Sequence, residues 1–357
     1  MSGELRVSLP RRVWRGESLG ARVARAALLV PAALYRAGVA LRNAGYDAGL
    51  LPSRTLPAPS LGVGSIAVGG TGKTPVAAYL AGEVARRGRR PGILLRGYRG
   101  GDEASEHAER VSGAVVVADP DRHRGAARAV REGAEVLVLD DCLQRRDVRT
   151  DLLLALVAAE TAAERKWPLP AGPWREGLGA LRRCDAVVVT YKVTPPDAAA
   201  ATARMLAPRT RLGVGVAVGL KLARFLPLTG GAPLPAGALA GRAVVAVCGI
   251  GAPEAFGAQL EALGARVRLF DYGDHHAYAA SDVAAAIEAA GPDGVIVTTA
   301  KDAVKLRSVY RAPAPACVVA ELEVRVTYGE RELARLLDRV VRPQSNPVTA
   351  AKAPPAR

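Results

Sequence analysis

The stretch Gly64-Ser65-Ile66-Ala67-Val68-Gly69-Gly70-Thr71-Gly72-Lys73-Thr74 decides the fold that we predict for this chain. The apolar run of residues 61–68 leads into it and the helix-forming residues 76–87 follow it, which predicts a strand, a phosphate-binding loop and a helix. Glycines let backbone N–H groups turn toward phosphate oxygens, and Lys73 adds a positive charge. The Thr74 hydroxyl can bind Mg²⁺ at the helix N-terminus.

A simple glycine turn would explain the glycines of this loop but not the lysine and threonine beside them. Ala67 stands where the strict pattern has glycine, so the loop is a variant form. We predict that the loop binds nucleotide phosphates through Gly69, Gly70, Thr71, Gly72, Lys73 and Thr74.

Apolar runs alternate with helix-forming stretches downstream of the loop. They occupy residues 92–95, 114–117, 136–139, 152–157 and 186–189. This alternation predicts an α/β fold of the P-loop NTPase type, with a mostly parallel sheet and helices on both faces. Ligands of such sheets bind at the carboxyl ends of the strands.

The composition and apolar pattern divide the chain into four predicted parts. The sequence predicts a basic amphipathic helix with a linker at residues 1–60 and a P-loop domain at 61–225. An irregular stretch rich in Gly, Pro and Ala, residues 212–240, leads into a second, smaller α/β domain at 226–341. Residues 342–357 lack apolar periodicity and are predicted to be disordered.

Charge and cysteine content narrow the class of protein. The 357 residues carry a formal net charge of +15, which indicates an anionic partner such as nucleic acid, anionic lipid or a phosphorylated substrate. The four scattered cysteines form no CxxC pair, as expected in a reducing compartment. No cleavable signal peptide is apparent, and the longest apolar run near the N-terminus, residues 26–34, is shorter than the ~20 residues of a spanning helix.

Arginines interleaved with apolar residues characterise the first sixty residues and predict a basic amphipathic helix, broken or kinked at Pro31. Such a helix can lie in a membrane interface with its arginines at the headgroups. It can equally pack on the protein with a solvated basic face, and both interpretations remain open.

Acidic side chains follow the predicted strand at residues 136–139. Asp140 and Asp141 match the Walker-B arrangement, in which an aspartate holds Mg²⁺ directly or through water. A turn or helix cap would also accept this pair. The phosphate loop in the same sheet favours a metal site formed with Thr74, and which aspartate binds the metal stays open.

Other strand ends carry charged or polar residues. Asp102 or Glu103 could act as a base, and Arg96 or Arg99 could stabilise a phosphoryl group in transfer, although a solvated loop explains them equally well. Asp274-His275-His276 predicts one functional histidine and one bystander.

Weaker patterns complete the set. Arg175 and Glu176 follow a Pro- and Gly-rich loop and could position a ligand, and residues 298–305 could face the same cleft. His107 and His123 are predicted to lie on the surface. Residues 190–194 lack the Asn and Asp of the guanine-reading Asn-Lys-x-Asp motif, which favours ATP over GTP.

Taken together, these motifs resemble the tetraacyldisaccharide 4'-kinases of the lipid A pathway, over residues 14–340. The resemblance rests on the order of the following strings: the phosphate loop with Pro75, Arg96-Gly97-Tyr98, Gly101-Asp102-Glu103, Asp140-Asp141 with Gln144, Leu169 to Pro173 with Arg175-Glu176, Gly249-Ile250-Gly251, Asp274 to Tyr278, and Lys301 to Lys305.

The resemblance implies transfer of a phosphoryl group from ATP, with Mg²⁺, to the 4'-hydroxyl of a tetraacyl glucosamine disaccharide 1-phosphate. It implies a peripheral protein at the cytoplasmic face of the bacterial inner membrane, without nucleic acid or an obligate protein partner.

The implied residue roles follow position by position. Asp102 matches the catalytic base and His275 its supporting histidine, while Arg175 and Glu176 match a loop on the substrate side. Lys73 and Thr74 match the phosphate-loop residues. Asp140 and Asp141 match the acidic pair, of which one or both serve Mg²⁺, and Gln144 is counted with the nucleotide-binding residues.

Several positions depart from the family pattern: Ser65, Cys142, Gly177, Ala300 and the short segment between Tyr98 and Asp102. The short segment leaves Glu103 or a third carboxylate as alternative bases.

Two other functions share parts of this pattern. A ParA-like or partner-loading ATPase switch would also have the loop, the acidic pair and the basic charge. A membrane-peripheral adaptor with a degenerate nucleotide fold would not need Lys73, Thr74 and the acidic pair intact.

Overall fold

The computed structural model describes residues 12–14, 16, 18–97, 102–164, 166–273, 276–311 and 316–342, with residues 102, 103, 105 and 109 described by their backbone alone. The strands in these ranges are β1 (Arg54–Thr55), β2 (Ser60–Ser65), β3 (Pro91–Leu95), β4 (Val115–Ala118), β5 (Val136–Leu139), β6 (Val148–Arg149), β7 (Leu152–Ala158), β8 (Ala186–Tyr191), β9 (Val214–Pro227), β10 (Leu234–Pro235), β11 (Ala243–Cys248), β12 (Arg266–Asp271), β13 (Val295–Thr299) and β14 (Ala316–Tyr328).

The helices cover both faces of the sheet. They are α1 (Leu19–Ala27), α2 (Leu29–Asp47), α3 (Lys73–Arg86), α4 (Asp102–Arg110), α5 (Arg122–Arg131), α6 (Ala159–Ala162), α7 (Pro196–Leu206), α8 (Pro253–Ala262), α9 (Ala280–Ala290), α10 (Ala300–Val309) and α11 (Glu330–Val341). Short 3₁₀ helices occupy Leu178–Arg183, Ala207–Arg209 and Ala236–Leu239.

One sheet of twelve strands runs through the described chain, in the order β12-β11-β13-β14-β9-β8-β7-β2-β5-β3-β4, with β10 beside β9. Its pairings are parallel except where β9 meets β14 and β10. The predicted α/β fold with a mostly parallel sheet is confirmed. The predicted apolar runs downstream of the loop became strands within two residues of their expected ends, and the run at 61–68 became β2, which ends three residues earlier than expected. β2, β3, β5 and β8 are buried along their whole length, as their apolar sequences indicate.

The first half of the stretch predicted to be irregular, residues 212–240, contains the strand β9, so the prediction was wrong for residues 214–227, whereas residues 228–240 are turns, a two-residue strand and a short 3₁₀ helix. β9 spans fourteen residues and pairs with β8 on one side and β14 on the other. Glycine and charged residues interrupt its apolar pattern, so its stability comes from these two long pairings and not from local sequence. Residue 225, the predicted domain boundary, lies inside β9, and the division into domains stays a prediction.

The C-terminal helix α11 returns to the first half of the chain. Its residues Leu333, Leu336 and Leu337 are buried in the same apolar cluster as Leu61 and Leu80. The Arg87 Nε atom also donates a 2.8 Å hydrogen bond to Asp338 Oδ1. α11 therefore helps hold the helix that follows the phosphate loop. Residues 343–357 of the predicted disordered tail lie outside the described residues.

From residue 18 on, the described N-terminal segment forms two helices, α1 and α2, that meet at an angle of 44°. The break lies at Leu28, three residues before Pro31, where the kink was predicted, and Pro31 itself sits in the first turn of α2. No single helix in the described ranges is long and apolar enough to cross a membrane, although α1 and α2 together reach the required length and composition. α2 is anchored on the sheet domain by a 2.8 Å hydrogen bond from Asn43 Nδ2 to Glu176 Oε2.

Candidate active site

The phosphate loop connects β2 to α3 at the carboxyl edge of the sheet. Gly69, Gly70 and Gly72 have φ angles of 75°, 60° and 75°, a left-handed conformation that suits glycine. α3 begins at Lys73 directly after the loop, so the backbone N–H groups of its first turn are available to an anion. The predicted strand, loop and helix are therefore present.

A distant loop, residues 168–176, pairs with the start of the phosphate loop. The Val68 amide donates to the Pro173 carbonyl over 2.8 Å, and the Arg175 amide donates to the Ile66 carbonyl over 2.9 Å. Ala67 forms an antiparallel bridge with the buried Trp174. This backbone pairing brings Arg175 to the phosphate loop from a hundred residues away in the sequence.

Arg175, Asp141 and Lys73 form a charged cluster beside the loop. Arg175 Nη1 donates to both carboxylate oxygens of Asp141, over 2.8 and 3.0 Å. Lys73 Nζ lies 3.7 Å from Asp141 Oδ1. Asp141 has a φ angle of 51°, which is uncommon for a residue with a side chain and often marks a functional position.

Asp140 is buried and is held from two sides. His107 Nε2 lies 3.2 Å from its Oδ2 atom, and Arg122 Nη2 donates to its backbone carbonyl over 2.7 Å. Burial opposes ionisation, but the hydrogen bond from His107 and the charges of Lys73 and Arg122 outweigh it, so the pKa of Asp140 lies below its usual value.

The prediction that His107 lies on the surface was wrong, because its side chain is fully buried against Asp140. The residues around it in α4 are polar, and its partner comes from the end of β5, which local composition cannot reveal. His123 is half-buried, with Nε2 3.4 Å from the Asp147 carbonyl oxygen.

Gln144 and Glu176 form a chain of hydrogen bonds that supports the Arg175 side chain. Gln144 Oε1 accepts from Arg175 over 3.1 Å, while its Nε2 donates to Glu176 Oε1 over 3.1 Å. Glu176 also accepts from Asn43 and Arg183, so its carboxylate links four segments of the chain. In the structure Glu176 supports other side chains, and a nucleotide contact by Gln144 stays a prediction.

A cavity of about 380 Å³ lies between the two halves of the sheet. The residues that line it from the first half include Gly69 to Pro75, Asp140, Asp141 and Arg175. Those from the second half include Ile250, Gly251, Ala252, Thr299 and Lys301. The predicted cleft partners around residues 298–305 therefore do face the phosphate loop.

A second cavity of about 740 Å³ opens between α2 and the loop that carries Arg175. Its basic lining residues are Arg36, Arg146, Lys166, Arg175, Arg182, Arg183 and Arg211. Arg175 lines both cavities. This second cavity is suited to an anionic ligand.

Lys192 is a site residue that the sequence analysis missed. Its Nζ donates to the Gly70 carbonyl in the phosphate loop, and its backbone N–H donates to Glu160 Oε1 over 2.6 Å. Burial lowers the pKa of Lys192 from its ordinary value, and the charge of Glu160 opposes this change. Its place after β8, at the carboxyl edge of the sheet, was the signal that could have found it.

Oxygen atoms that suit Mg²⁺ are present at the loop. Asp140 Oδ1 is buried and has no hydrogen-bond partner among the described residues. An unpartnered acceptor on the cavity wall fits a cation or its bound water. The described ranges contain no cluster of three or more His, Cys, Asp or Glu that could hold a metal. Mg²⁺ does not require one, since it is commonly held by one or two carboxylates with phosphates and water.

Several predicted residues remain without a described side chain. Asp102 begins α4, but only its backbone is described, and the same is true of Glu103. Asp274 and His275 lie outside the described residues. His276, the predicted bystander, has Nε2 2.9 Å from Asp282 Oδ2 and its ring stacked on Tyr272.

The loop, the acidic pair and the basic side chains at one sheet edge define a nucleotide-binding protein of the P-loop class. Comparison with known proteins then gives the family. The model of the family described as tetraacyldisaccharide-1-P 4'-kinase matches residues 24–342. The chain belongs to this family.

Individual relatives agree with the family match. Proteins named tetraacyldisaccharide 4'-kinase from Anaeromyxobacter dehalogenans (strain 2CP-C) and Syntrophus aciditrophicus (strain SB) are 37% and 35% identical to this chain. These matches cover 90% and 88% of this chain and 89% and 94% of the relatives. LpxK from Aquifex aeolicus, solved in complex with ATP, is similar with a TM-score of 0.67 and 27% identity, over 89% of this chain and 100% of that one.

Proposed function

We propose that this protein is a kinase that transfers the γ-phosphoryl group of ATP to the 4'-hydroxyl of a tetraacyl glucosamine disaccharide 1-phosphate. Family membership supports the reaction, and the position of Arg175 carries the structural argument. Its guanidinium is bound to Asp141 beside the phosphate loop and also lines the basic cavity. One side chain thus connects the proposed donor site with the proposed acceptor site.

The donor site would bind the phosphates of ATP through the backbone N–H groups of the loop and through Lys73. Lys73 is held near Asp141 at 3.7 Å, so its ammonium group is already placed at the cavity. Mg²⁺, held by Thr74 and Asp140, would neutralise charge on the phosphates. Asp140 is the better candidate of the two aspartates, because the Asp141 carboxylate is occupied by Arg175.

The acceptor hydroxyl needs a base and a fixed position. Asp102 at the start of α4 is the proposed base and His275 its proposed support. Phosphoryl transfer depends mainly on positioning and charge neutralisation. Arg175 would stabilise the group in transfer, with Gln144 and Glu176 holding the arginine in place.

The basic cavity beside α2 would receive the phosphorylated sugar. Arg146 and Arg183 at its wall are tied to Asp47 and Glu176, whereas Arg36 and Arg182 add further positive charge. The acyl chains would remain in the membrane on which α1 and α2 lie. We propose a peripheral position at the cytoplasmic face of the inner membrane, where ATP is available.

The test is transfer of labelled phosphate from ATP to the lipid disaccharide monophosphate in micelles with Mg²⁺. We expect a bisphosphorylated lipid with the wild type and nearly none with Lys73→Ala or Asp102→Ala. Arg331→Ala, an exposed arginine on α11, is the control for loss of a positive charge. Absence of product with the folded wild type would refute the kinase function, and full activity of Asp102→Ala would refute only the base.

A further inference from the structure

We propose that His107 is a positioning residue, which holds the Asp140 carboxylate and the helix α4 in register with the phosphate loop. This inference rests on the proposed kinase reaction. It starts from a buried polar contact between two segments that are far apart in the sequence. The His107 side chain is 0% exposed, and its Nε2 atom lies 3.2 Å from Asp140 Oδ2.

The chemistry of the two groups decides which of them donates the hydrogen bond. An ionised carboxylate only accepts hydrogen bonds, so we assign the shared proton to His107 Nε2. Asp140 Oδ2 is therefore occupied by the histidine. Asp140 Oδ1 has no partner among the described residues, and Asp140 lines the nucleotide cavity. The contact thus orients the carboxylate with one oxygen bound and the other available to a metal ion or its water.

Asp140 is also fixed through its backbone. The buried Arg122 donates from Nη2 to the Asp140 carbonyl over 2.7 Å. With the backbone held by α5, rotation of the side chain is the freedom that remains. The hydrogen bond from His107 removes that freedom, since a carboxylate with one anchored oxygen cannot turn without breaking it.

The same contact fixes α4. This helix begins at Asp102, the proposed base, and His107 follows five residues later, about one and a half helical turns along the axis. Glu106 and Arg110 of α4 line the nucleotide cavity and are joined by a 3.1 Å hydrogen bond. α4 is therefore a wall of the active site, and His107 attaches this wall to the acidic pair.

A leucine at position 107 would fill similar space without a donor, whereas glutamine keeps an N–H donor of comparable reach. The asparagine side chain is too short for its N–H donor to reach Asp140. If His107 acts by its hydrogen bond, glutamine must rescue function and leucine and asparagine must not. A residue that only fills space would show the opposite preference, with leucine tolerated best.

The experiment measures Mn²⁺ binding by electron paramagnetic resonance in the presence of a non-hydrolysable ATP analogue, together with kcat for lipid phosphorylation. Residues that orient a metal ligand typically change metal affinity or activity about 10–100-fold when mutated. We expect His107→Leu and His107→Asn to weaken Mn²⁺ binding about tenfold or more and to lower kcat, and His107→Gln to stay within about threefold of wild type. His123→Leu, which removes a half-buried histidine on α5, is the matched control and should bind Mn²⁺ as the wild type does.

The outcomes separate the two proposals. Wild-type Mn²⁺ affinity in folded His107→Leu would overturn the inference, and so would equal loss in His107→Gln and His107→Asn. If His107→Leu does not fold, the comparison of glutamine with asparagine decides the question. Failure of the wild type to phosphorylate the lipid would instead refute the kinase function, with Mn²⁺ binding still measurable.

Discussion

Gly251 packs directly on the backbone of Gly70, so that the second half of the sheet touches the phosphate loop. A Cβ atom at position 251 would lie 2.0 Å from the Gly70 nitrogen and 2.6 Å from Gly69 Cα. No side chain fits in this space without displacing one of the two backbones. The two halves of the molecule therefore meet at the nucleotide site itself, where their contact can exclude water from the reaction.

We expect Gly251→Ala to impair nucleotide use while leaving the fold intact. Overpacking of this kind costs about 1–3 kcal/mol, and a cost of that size at the nucleotide site corresponds to a loss of about fivefold to about 150-fold in kcat/KM for ATP. Gly257→Ala is the matched control, because a Cβ there meets only Leu269 Cδ2 at an ordinary 3.7 Å. Steady-state kinetics of both variants check the prediction, and wild-type kcat/KM in Gly251→Ala would contradict it.

Arg175→Lys should lower kcat by about a hundredfold, the usual loss for removal of one transition-state contact. Lysine cannot make the planar contacts by which Arg175 Nη1 holds both oxygens of Asp141 and the Gln144 side chain. We expect ATP binding, measured by calorimetry, to change much less than kcat. Arg331→Lys, the same substitution at an exposed position of α11, is the control. An unchanged kcat in Arg175→Lys would show that the arginine does not act on the reacting group.

All four cysteines are buried, so we expect their thiols to be unreactive in the folded protein. Burial raises the pKa of Cys142, Cys184 and Cys317 to about 12. We expect a disulfide reagent at pH 8 to leave the native protein unmodified and to label four thiols after denaturation. Rapid labelling of the native protein would contradict the burial of these residues.

The same three thiols predict a decline of stability at alkaline pH. Their ordinary pKa of 9.0 applies to the unfolded chain and about 12 to the folded one, so their contribution is complete below pH 9 and is lost as pH rises toward 12. At pH 10 the loss is about 1 kcal/mol per thiol. Urea unfolding at pH 8 and pH 10 measures this difference. Cys142→Ala should show a smaller decline than wild type, and an identical decline would contradict the assignment.

Leu34 and Leu41 on α2 are 70% and 76% exposed, although they are large and apolar. We expect Leu34→Glu with Leu41→Glu to release the protein from anionic phosphatidylglycerol vesicles, because an apolar face that enters the interface cannot accept carboxylates. Met205→Glu, at a 63% exposed site on α7, controls for added negative charge. Vesicle sedimentation that is unchanged in the double variant would favour a helix that serves only to pack on the protein.

Much of the fold was predictable because a buried strand appears in the sequence as a run of apolar residues. β5 was predicted residue for residue from the apolar run 136–139. β9 was not predictable in the same way. Its glycines and charged residues resemble a loop, and only pairing with β8 and β14 over its length makes it a strand.

For the site, the order of the motifs along the chain predicted the phosphate loop, the acidic pair and a role for Arg175, since each motif follows a recognisable strand or loop. Tertiary structure alone decided which side chains touch. Arg175 reaches Asp141 because residues 168–176 pair with the phosphate loop, and His107 reaches Asp140 because α4, which packs on β3 and β4, brings it to the residue that follows β5. Such contacts join segments tens to hundreds of residues apart, and no local pattern records them because their energy depends on the packing of the whole sheet.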